Sequence, residues 1–144
     1  MQLTRFSDIS LRLLLYLASR RDSSSPAVTA RQVAEIFQVP YTHLVKVVHL
    51  LGQHGLIHTA RGKHGGLRLA ADPASTRIGA VLRLTEPGGT VIDCYTQPCP
   101  LRHDCRLKHA LDQAYGAFFE AMDRYTLAEL ATMPALRTLV TLTA

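Results

Sequence analysis

The feature that most constrains the fold is a break between two short amphipathic helices. The stretch VTARQVAEIF predicts a helix, because Thr29 and Gln32 have the spacing of a capping box and apolar residues recur at helical steps behind them. The tripeptide QVP at 38–40 interrupts this pattern, since proline disfavours helical geometry in the preceding residue yet suits the first turn of a new helix. A second helix is therefore expected to begin at Pro40 or Tyr41, after a tight turn.

The second of these helices separates apolar from polar residues by face. Its inward face is predicted to consist of Leu44, Val47, Val48 and Leu51. The residues left to face outward are Tyr41, Thr42, His43, Lys46 and His49. Two helices joined by a tight turn, the second presenting polar residues from its N-terminal end, indicate a helix-turn-helix whose second helix enters the major groove of DNA.

A basic, glycine-rich hairpin is predicted directly after this helix pair. The segment LIHTARGKHGGLRLA has two short alternating runs around a tip at residues 61–66. Alone, such a turn is usually a solvated hairpin. Following a helix-turn-helix, it predicts a wing, whose glycines allow close approach to DNA while Arg61 and Lys63 meet the negative potential of the backbone or the minor groove.

The predicted DNA contacts divide into two roles. Thr42, His43 and Lys46 are expected at base edges, and Tyr41, Arg61 and Lys63 at phosphates or in the minor groove. Charge supports this placement: residues 1–83 carry eleven Arg and Lys against four Asp and Glu, a balance of +7, while residues 84–144 carry five against seven, a balance of −2. On charge alone, a basic but inert surface is the alternative.

The remaining pattern is mainly helical. A first helix is indicated by Phe6, Ile9, Leu13 and Leu17, and a further short helix is predicted over 74–84. After Cys105, apolar residues recur at alternating steps of four and three, a repeat with a 3.5-residue period, at Leu107, Leu111, Ala114, Phe118, Ala121 and Tyr125. This is the period of a coiled-coil seam and predicts a dimerisation helix, although a helix packed on its own domain has the same pattern. A last short helix is expected from Thr126 to Met133, closing the fold before Pro134.

These elements predict a mainly α fold with a small β-hairpin wing. The expected division is a winged helix-turn-helix DNA-binding domain at 1–84, a cysteine-containing loop at 85–104, and a dimerisation helix with a C-terminal tail at 105–144. No apolar run approaches the roughly 18 to 20 residues of a membrane helix, and the N-terminus lacks the pattern of a signal peptide. We therefore expect a cytoplasmic protein without a membrane partner.

All three cysteines lie in CYTQPCPLRHDC, with the spacing C-x4-C-x5-C at Cys94, Cys99 and Cys105. Three thiols cannot all pair within one chain, and the spacing lacks the C-x2-C pairs of structural zinc sites. Iron-sulfur clusters are held by thiolates from looser loops, and the fourth ligand can be another residue type. The candidates for that ligand are His103, His109, Asp93, Asp104 and Asp8.

The chain resembles the winged-helix iron-sulfur regulator family, which includes nitric-oxide-sensing repressors and regulators of cluster biogenesis. The resemblance covers nearly the whole chain and lies in four stretches: LTRFSDISLRLLLYLA, VAEIFQVPYTHLVKVVHLL, RGKHGGLRLA, and the cysteine loop with CPLRHDCRL. The cluster-biogenesis pattern places a histidine three residues after the last cysteine, where this chain has Lys108. The nitric-oxide-sensing pattern places an aspartate in the first helix, and this chain has Asp8 there, with Arg12 four residues on.

The resemblance implies a cluster held by the three cysteines and Asp8, with Asp8 supplied by the other subunit of a homodimer. Arg12 is then expected to hold the Asp8 carboxylate in position. The first cysteine gap has four residues where the family commonly has five. A carboxylate is a harder, less tightly held ligand for iron than a thiolate, which leaves that iron open to attack by a small molecule.

The predicted function is a non-enzymatic transcriptional repressor that binds double-stranded operator DNA through a 4Fe-4S cluster-dependent homodimer and releases it when nitric oxide nitrosylates the cluster. The alternative within the class is an iron-sulfur regulator of cluster supply or oxidative stress, with a 2Fe-2S centre. Outside the class, the alternatives are a zinc-stabilised DNA-binding protein and an electron-transfer protein.

Overall fold

The computed structural model describes residues 2–20, 26–62, 65–88, 91–96 and 98–143, which are mainly helical with an antiparallel hairpin. The elements in chain order are α1 (Arg5–Ser19), α2 (Ala30–Ile36), α3 (Tyr41–Gln53), β1 (Ile57–Ala60), β2 (Gly66–Leu69), α4 (Ile78–Thr85), α5 (Arg106–Met122), α6 (Leu127–Leu130) and α7 (Pro134–Thr143). None of the helices in these ranges has the length and apolar character needed to cross a membrane.

Helix α1 lies at the centre of the hydrophobic core. The Thr4 side chain caps it by accepting a hydrogen bond from the Ser7 N–H. Ile9, Leu13 and Leu17 are buried, as their spacing predicts. The helix contacts α3, α4, α6, α7 and β2, so it joins the predicted DNA-binding domain to the C-terminal helices.

The predicted helix-turn-helix is confirmed. The Thr29 side chain and the Gln32 side chain form the expected capping box at the start of α2. The turn places Gln38 at φ 51°, and the Val39 N–H then donates to the Ala34 carbonyl at 3.0 Å. Pro40 takes the N-cap position of α3, just ahead of the first helical turn. Of the predicted inward face, Leu44, Val47 and Leu51 are fully buried and Val48 partly so.

The predicted wing is also confirmed. Strands β1 and β2 pair from Ile57 with Leu69 to Ala60 with Gly66. The Leu67 N–H donates to the Val28 carbonyl at 2.7 Å, so the segment before α2 extends the hairpin by one bridge. Gly66 has φ 153°, and a Cβ there would lie 2.8 Å from the Val28 carbonyl oxygen. A side chain at this position would therefore push the wing away from the body.

The short helix predicted over 74–84 begins later, at Ile78. Residues 73–75 form a turn in which the Thr76 N–H donates to the Asp72 carbonyl at 3.0 Å. Arg77 is then extended and bridges Thr126, while the Ile78 N–H donates to the Tyr125 carbonyl at 3.0 Å. This pairing with a distant segment holds the backbone out of the helix, which explains why the predicted start was wrong.

The prediction that the fold closes before Pro134 is wrong as well. The capping box of Thr126 and Glu129 forms as expected, but α6 ends at Leu130. Pro134 then begins α7, because proline is tolerated in the first turn of a helix, where its missing N–H has no partner to lose. Leu136 is buried, and Leu139 and Val140 pack against the core. The C-terminal segment is therefore a helix docked on α1.

Helix α5 turns a different stripe to the core from the predicted one. The residues that pack inward are Tyr115, Phe118, Phe119 and Met122. Of the 3.5-residue series, Phe118 joins this stripe, Leu107 is 64% exposed, and Tyr125 lies beyond the end of the helix. The rest of the series is left on the outer part of α5, and its role in dimerisation stays a prediction.

Helices α4 and α5 cross closely at Gly79. The Asp123 carboxylate, at the end of α5, accepts hydrogen bonds from the Arg83 guanidinium, one of them at 3.0 Å. These bonds lower the pKa of Asp123 below its ordinary value of 3.8 and raise the pKa of Arg83. The Arg83 guanidinium also lies 5.5 Å from the centroid of the Phe119 ring. Arg83 therefore joins α4 to the C-terminal end of α5.

Candidate nucleic-acid interface and cluster-binding loop

The predicted base-reading residues lie together on the outer face of α3. Thr42, His43 and Lys46 are all exposed, as is His49 one turn further on. Their helix is held by the buried side chains on its opposite face, so the outward residues are available to a ligand without disturbing the core. Their contacts to DNA stay predictions.

Tyr41 stands at the start of α3 and is 45% exposed. Its ring lies 5.1 Å from the Arg31 guanidinium carbon, which joins the first turns of α2 and α3. Sequence patterns did not single out Arg31. The position of Arg31 in the first turn of α2 could have indicated a contact with DNA, because the first helix of such a pair crosses the DNA backbone. Arg31 and Tyr41 together form a candidate phosphate contact.

The wing carries the other predicted backbone contacts. Arg61 is exposed directly after β1, and Gly62 turns the chain with φ 104°. Lys63, predicted beside it, lies outside the described residues. Arg68 of β2 is also exposed, opposite His58 in the hairpin register. The wing therefore adds the positive charge of Arg61 and Arg68 to the predicted DNA-binding domain.

Removing a wing charge should reduce the salt dependence of DNA binding. We expect Arg61→Ala and Lys63→Ala each to lower the slope of log K against log salt concentration by about 0.9, because each phosphate contact releases about one counterion. The measurement is a salt titration of duplex binding by fluorescence anisotropy. Arg124→Ala, which removes an exposed charge after α5, is the matched control and should leave the slope unchanged. An unaltered slope in both wing variants would reject the phosphate role.

Asp8 lies in the first turn of α1, where a carboxylate is favoured by the helix dipole. The Arg12 Nε donates to the Asp8 Oδ1 at 2.8 Å, one helical turn on. The two side chains are 44% and 49% exposed, so the pair lies at the surface and is open to a further partner. The structure therefore pairs Arg12 with Asp8 at the surface of α1, and the role of Arg12 in positioning a cluster ligand stays a prediction.

The three cysteines differ in their surroundings. Cys94 is buried, while Cys99 and Cys105 are half-buried. Cys105 occupies the N-cap of α5, and its Sγ accepts a hydrogen bond from the Lys108 N–H at 3.4 Å. This contact joins the end of the cysteine loop to the first turn of α5. Cys99 lines an open hollow with Pro98, Pro100, Arg102 and His103.

Both ends of the cysteine loop are attached to helix caps. At the first end, the Glu86 carboxylate accepts hydrogen bonds from the Thr4 N–H at 2.9 Å and the Thr4 Oγ1 at 3.1 Å. At the other end, Cys105 caps α5. The loop therefore connects the start of α1, one turn before Asp8, with the start of α5.

Two acidic groups organise the loop and the helix after it. Asp93 Oδ1 accepts hydrogen bonds from the Tyr95 N–H at 2.9 Å and the Thr96 N–H at 3.1 Å, and the Thr96 hydroxyl also donates to this carboxylate. These bonds, that of the Thr96 side chain foremost, lower the pKa of Asp93. Asp93 therefore already serves as a turn-forming acceptor.

Lys108 forms an ion pair with Asp112 on the next turn of α5. The hydrogen bond to Asp112 raises the pKa of Lys108, with smaller contributions from the charges of Asp112, Tyr95 and Cys94. The backbone N–H of Lys108 thus donates to Cys105, while the charge of Cys94 makes a small contribution to the raised pKa of the Lys108 ammonium. Asp112 Oδ1 is buried and has no hydrogen-bond partner among the described residues.

The donor set fits an iron-sulfur cluster in its chemistry. Three thiols lie in one loop, and one of them already accepts an N–H, as the sulfur of a bound thiolate does. Within the described part of this single chain, no three His, Cys, Asp or Glu side chains come close enough together to hold a metal ion. The joint coordination of a cluster by Cys94, Cys99, Cys105 and Asp8 stays a prediction.

Comparison with protein families places nearly the whole chain in one of them. Residues 3–133 match the Rrf2 family, described as an iron-dependent transcriptional regulator. The HTH-type transcriptional regulator NsrR of Halalkalibacterium halodurans is 44% identical over 135 residues, covering 92% of this chain and 91% of that protein. The HTH-type transcriptional repressor NsrR of Streptomyces coelicolor is 42% identical over 135 residues, covering 93% and 90%.

Solved structures show the same fold at lower identity. The oxidised form of Staphylococcus aureus CymR has a TM-score of 0.71 at 23% identity, covering 92% of this chain and 98% of that one. T. potens IscR has a TM-score of 0.68 at 18% identity, covering 90% and 85%. The winged helix-turn-helix followed by C-terminal helices is thus a shared architecture.

Proposed function

This chain belongs to the Rrf2 family of transcriptional regulators, and we propose that it is a repressor that senses nitric oxide through an iron-sulfur cluster. In this proposal, the protein binds operator DNA while its cluster is intact and releases the DNA when nitric oxide nitrosylates the cluster. Two observations together carry the proposal. The chain is similar to NsrR proteins over nine-tenths of its length. It also has three cysteines in one loop and, in α1, an Asp8 that is paired with Arg12.

Operator binding is assigned to α3 and the wing. The exposed Thr42, His43 and Lys46 face outward from a helix whose other side is buried, which is the arrangement needed to enter a major groove. The wing and the first turn of α2 supply positive charge on either side. Regulation of transcription needs no catalytic group, and the protein is not an enzyme.

The cluster is proposed to be 4Fe-4S, held by Cys94, Cys99, Cys105 and Asp8. When bound, such a cluster supplies iron that reacts with nitric oxide at its most weakly held ligand. Two of the chain's own contacts would position ligands at this site: the Lys108 N–H donates to the Cys105 Sγ, and Arg12 donates to the carboxylate of Asp8. Lys108 stands where a histidine ligand would be expected in the cluster-biogenesis pattern, which favours the aspartate arrangement.

We infer that the functional form is a homodimer in which Asp8 serves the partner's cysteine loop. Leu107 of α5 is 64% exposed, and Leu101 in the loop before it is 66% exposed. Ala114 and Ala121 of the 3.5-residue series are exposed further along α5. Two half-sites of an operator are reached by two recognition helices, which a two-fold dimer supplies. The link from Glu86 to Thr4 gives the loop a mechanical connection to α1, and α1 in turn contacts α3.

The experiment is an anaerobic titration of purified protein with nitric oxide, followed by absorption, iron and sulfide content, and operator binding. A thiolate-iron band that bleaches at a few equivalents, together with loss of DNA binding, is expected. Four irons and four sulfides per chain would identify the larger cluster, and two of each the 2Fe-2S alternative. A protein that holds zinc without sulfide, or that keeps its DNA after bleaching, would refute the sensor.

Removing the proposed carboxylate ligand should loosen the cluster. We expect Asp8→Ala to lose iron to a chelator faster than the unaltered protein, and Arg12→Ala to show a smaller change in the same direction, since loss of a group that orients a ligand typically reduces affinity about 10- to 100-fold. Glu120→Ala removes an exposed carboxylate of α5 that is not among the candidate ligands, and it is the matched control. Equal rates for the Asp8 and Glu120 variants would remove Asp8 from the ligand set.

A further inference from the structure

An aliphatic side chain is exposed on the face of α3 that otherwise presents polar groups. Val45 is 41% exposed, although its neighbours Leu44 and Val47 are fully buried. Tyr41 precedes it by one turn, and His49 follows it by one turn, both exposed. Val45 was absent from the predicted contacts because only polar residues and Tyr41 were assigned to the outward face of α3.

Val45 lies in a part of the chain that is rich in positive charge. Residues 26–71 contain five Arg and Lys against one acidic residue, Glu35. Lys46 lies next to Val45 on the outward side of α3. A single exposed valine is common on protein surfaces and usually has no function. Here it lies among the side chains assigned to base edges, at a place where a charged or polar residue would serve phosphate binding better.

The chemistry of the major groove contains one apolar group for such a side chain. Each thymine presents a C5-methyl group there, whereas the other groove-edge atoms of the four bases are hydrogen-bond donors and acceptors. Valine is short and stiff at χ1, so its two methyl groups reach only a partner that is brought close by the docked helix. It cannot donate to or accept from a polar edge, which disfavours the other bases at that position.

We propose that Val45 is a specificity-determining residue that contacts the C5-methyl group of a thymine in the major groove. This rests on the proposed function, in which α3 enters that groove. It extends that function by assigning one base type to one side chain: Val45 selects for thymine, while Thr42, His43 and Lys46 act through hydrogen bonds and charge.

The test is thymine-to-uracil scanning, which removes one methyl group and keeps every hydrogen-bonding edge. Duplexes bound by the cluster-loaded protein are first selected from a randomised library, and each thymine of the selected site is then replaced singly by uracil. We expect one position per half-site at which uracil weakens binding by the unaltered protein about three- to fivefold, the effect of burying a single methyl group. At that position the Val45→Ala protein should bind thymine and uracil duplexes equally.

The controls separate this inference from the proposed function. Val45 is exposed and lies within a helix, so Val45→Ala should fold with unchanged or slightly raised thermal stability. If Val45→Ala keeps the full uracil sensitivity at every thymine, or if the unaltered protein shows none, the thymine contact is overturned while sequence-selective binding stands. If the unaltered protein selects no sequence from the library, operator binding itself fails, and the Val45 contact fails with it.

Discussion

Replacing Gly79 by alanine is expected to destabilise the fold by about 3 kcal/mol, the upper range for forcing an extra carbon into a packed site. A Cβ at this position would overlap the Phe119 carbonyl oxygen and the Asp123 carboxylate, with the Asp123 Cγ at 2.7 Å. The first of these is backbone of α5 and cannot move aside without shifting the helix. The Asp123 carboxylate is held by Arg83. We therefore expect α4 and α5 to separate.

The measurement is urea unfolding followed by circular dichroism, with all variants at one protein concentration because an assembling protein gains stability by mass action. Gly116→Ala is the matched control. Gly116 lies within α5, and a Cβ there meets nothing within 4 Å. That variant should be more stable by about 0.5 to 1 kcal/mol, because alanine loses less backbone entropy in a helix. Similar free energies of unfolding for the Gly79 and Gly116 variants would show that the helices do not cross this closely.

Replacing Cys105 by serine is expected to abolish cluster loading while leaving the fold intact. The variant loses one of three proposed thiolate ligands, which should reduce retained iron and sulfide by more than about 100-fold. Mutating a residue that merely supports a ligand already weakens metal binding by up to about that factor. Serine is nevertheless a favoured N-cap residue, and its hydroxyl can accept the Lys108 N–H that the Cys105 Sγ accepts. The variant therefore separates the proposed role of Cys105 as a cluster ligand from its role as the N-cap of α5.

Cys105→Ala is the companion variant, because it removes both the ligand and the cap. It should lose the cluster to the same extent and should also be less stable than the serine variant by about 1 kcal/mol. Iron and sulfide content together with urea unfolding measure the two effects. A serine variant that retains a full cluster would exclude Cys105 from the ligand set, and equal stability of the two variants would exclude its role as a cap.

The DNA-binding half was predictable because its signals are local. The capping box of Thr29 and Gln32 involves residues three apart, and Pro40 marks the turn by its own geometry. The wing follows from glycines next to basic residues. Such features depend on residues a few positions apart in the sequence, so they can be recognised without knowledge of the fold.

The errors lie where distant segments meet. The start of α4 is set by the pairing of Arg77 with Thr126, nearly fifty positions away, and no pattern within 74–84 reports that contact. Helix α7 was missed because Pro134 was read as a stop, whereas α1 offers a surface for Leu136, Leu139 and Val140. The face of α5 that packs against the core also differs from the predicted one, because contacts with distant segments determine which face is buried.

The candidate site divides in the same way. Residue type and spacing indicated the three cysteines as donors, whereas Asp8 was selected by the family resemblance, and their coordination stays a prediction. The pairing of Arg12 with Asp8 spans one helical turn and was predictable for that reason. What depended on the tertiary structure was the attachment of the loop: Glu86 bonds Thr4 across 82 positions.

By itself, the sequence determined the helix-turn-helix, the wing and the chemistry of the donor set, because helix periodicity, capping and side-chain chemistry act over a few residues. The tertiary structure alone decided where α4 begins, that the C-terminal segment is a helix on α1, that Gly79 admits α5, and that Val45 is left exposed on α3. These depend on which surfaces are buried against each other, and burial is a property of contacts between segments that are far apart in the chain.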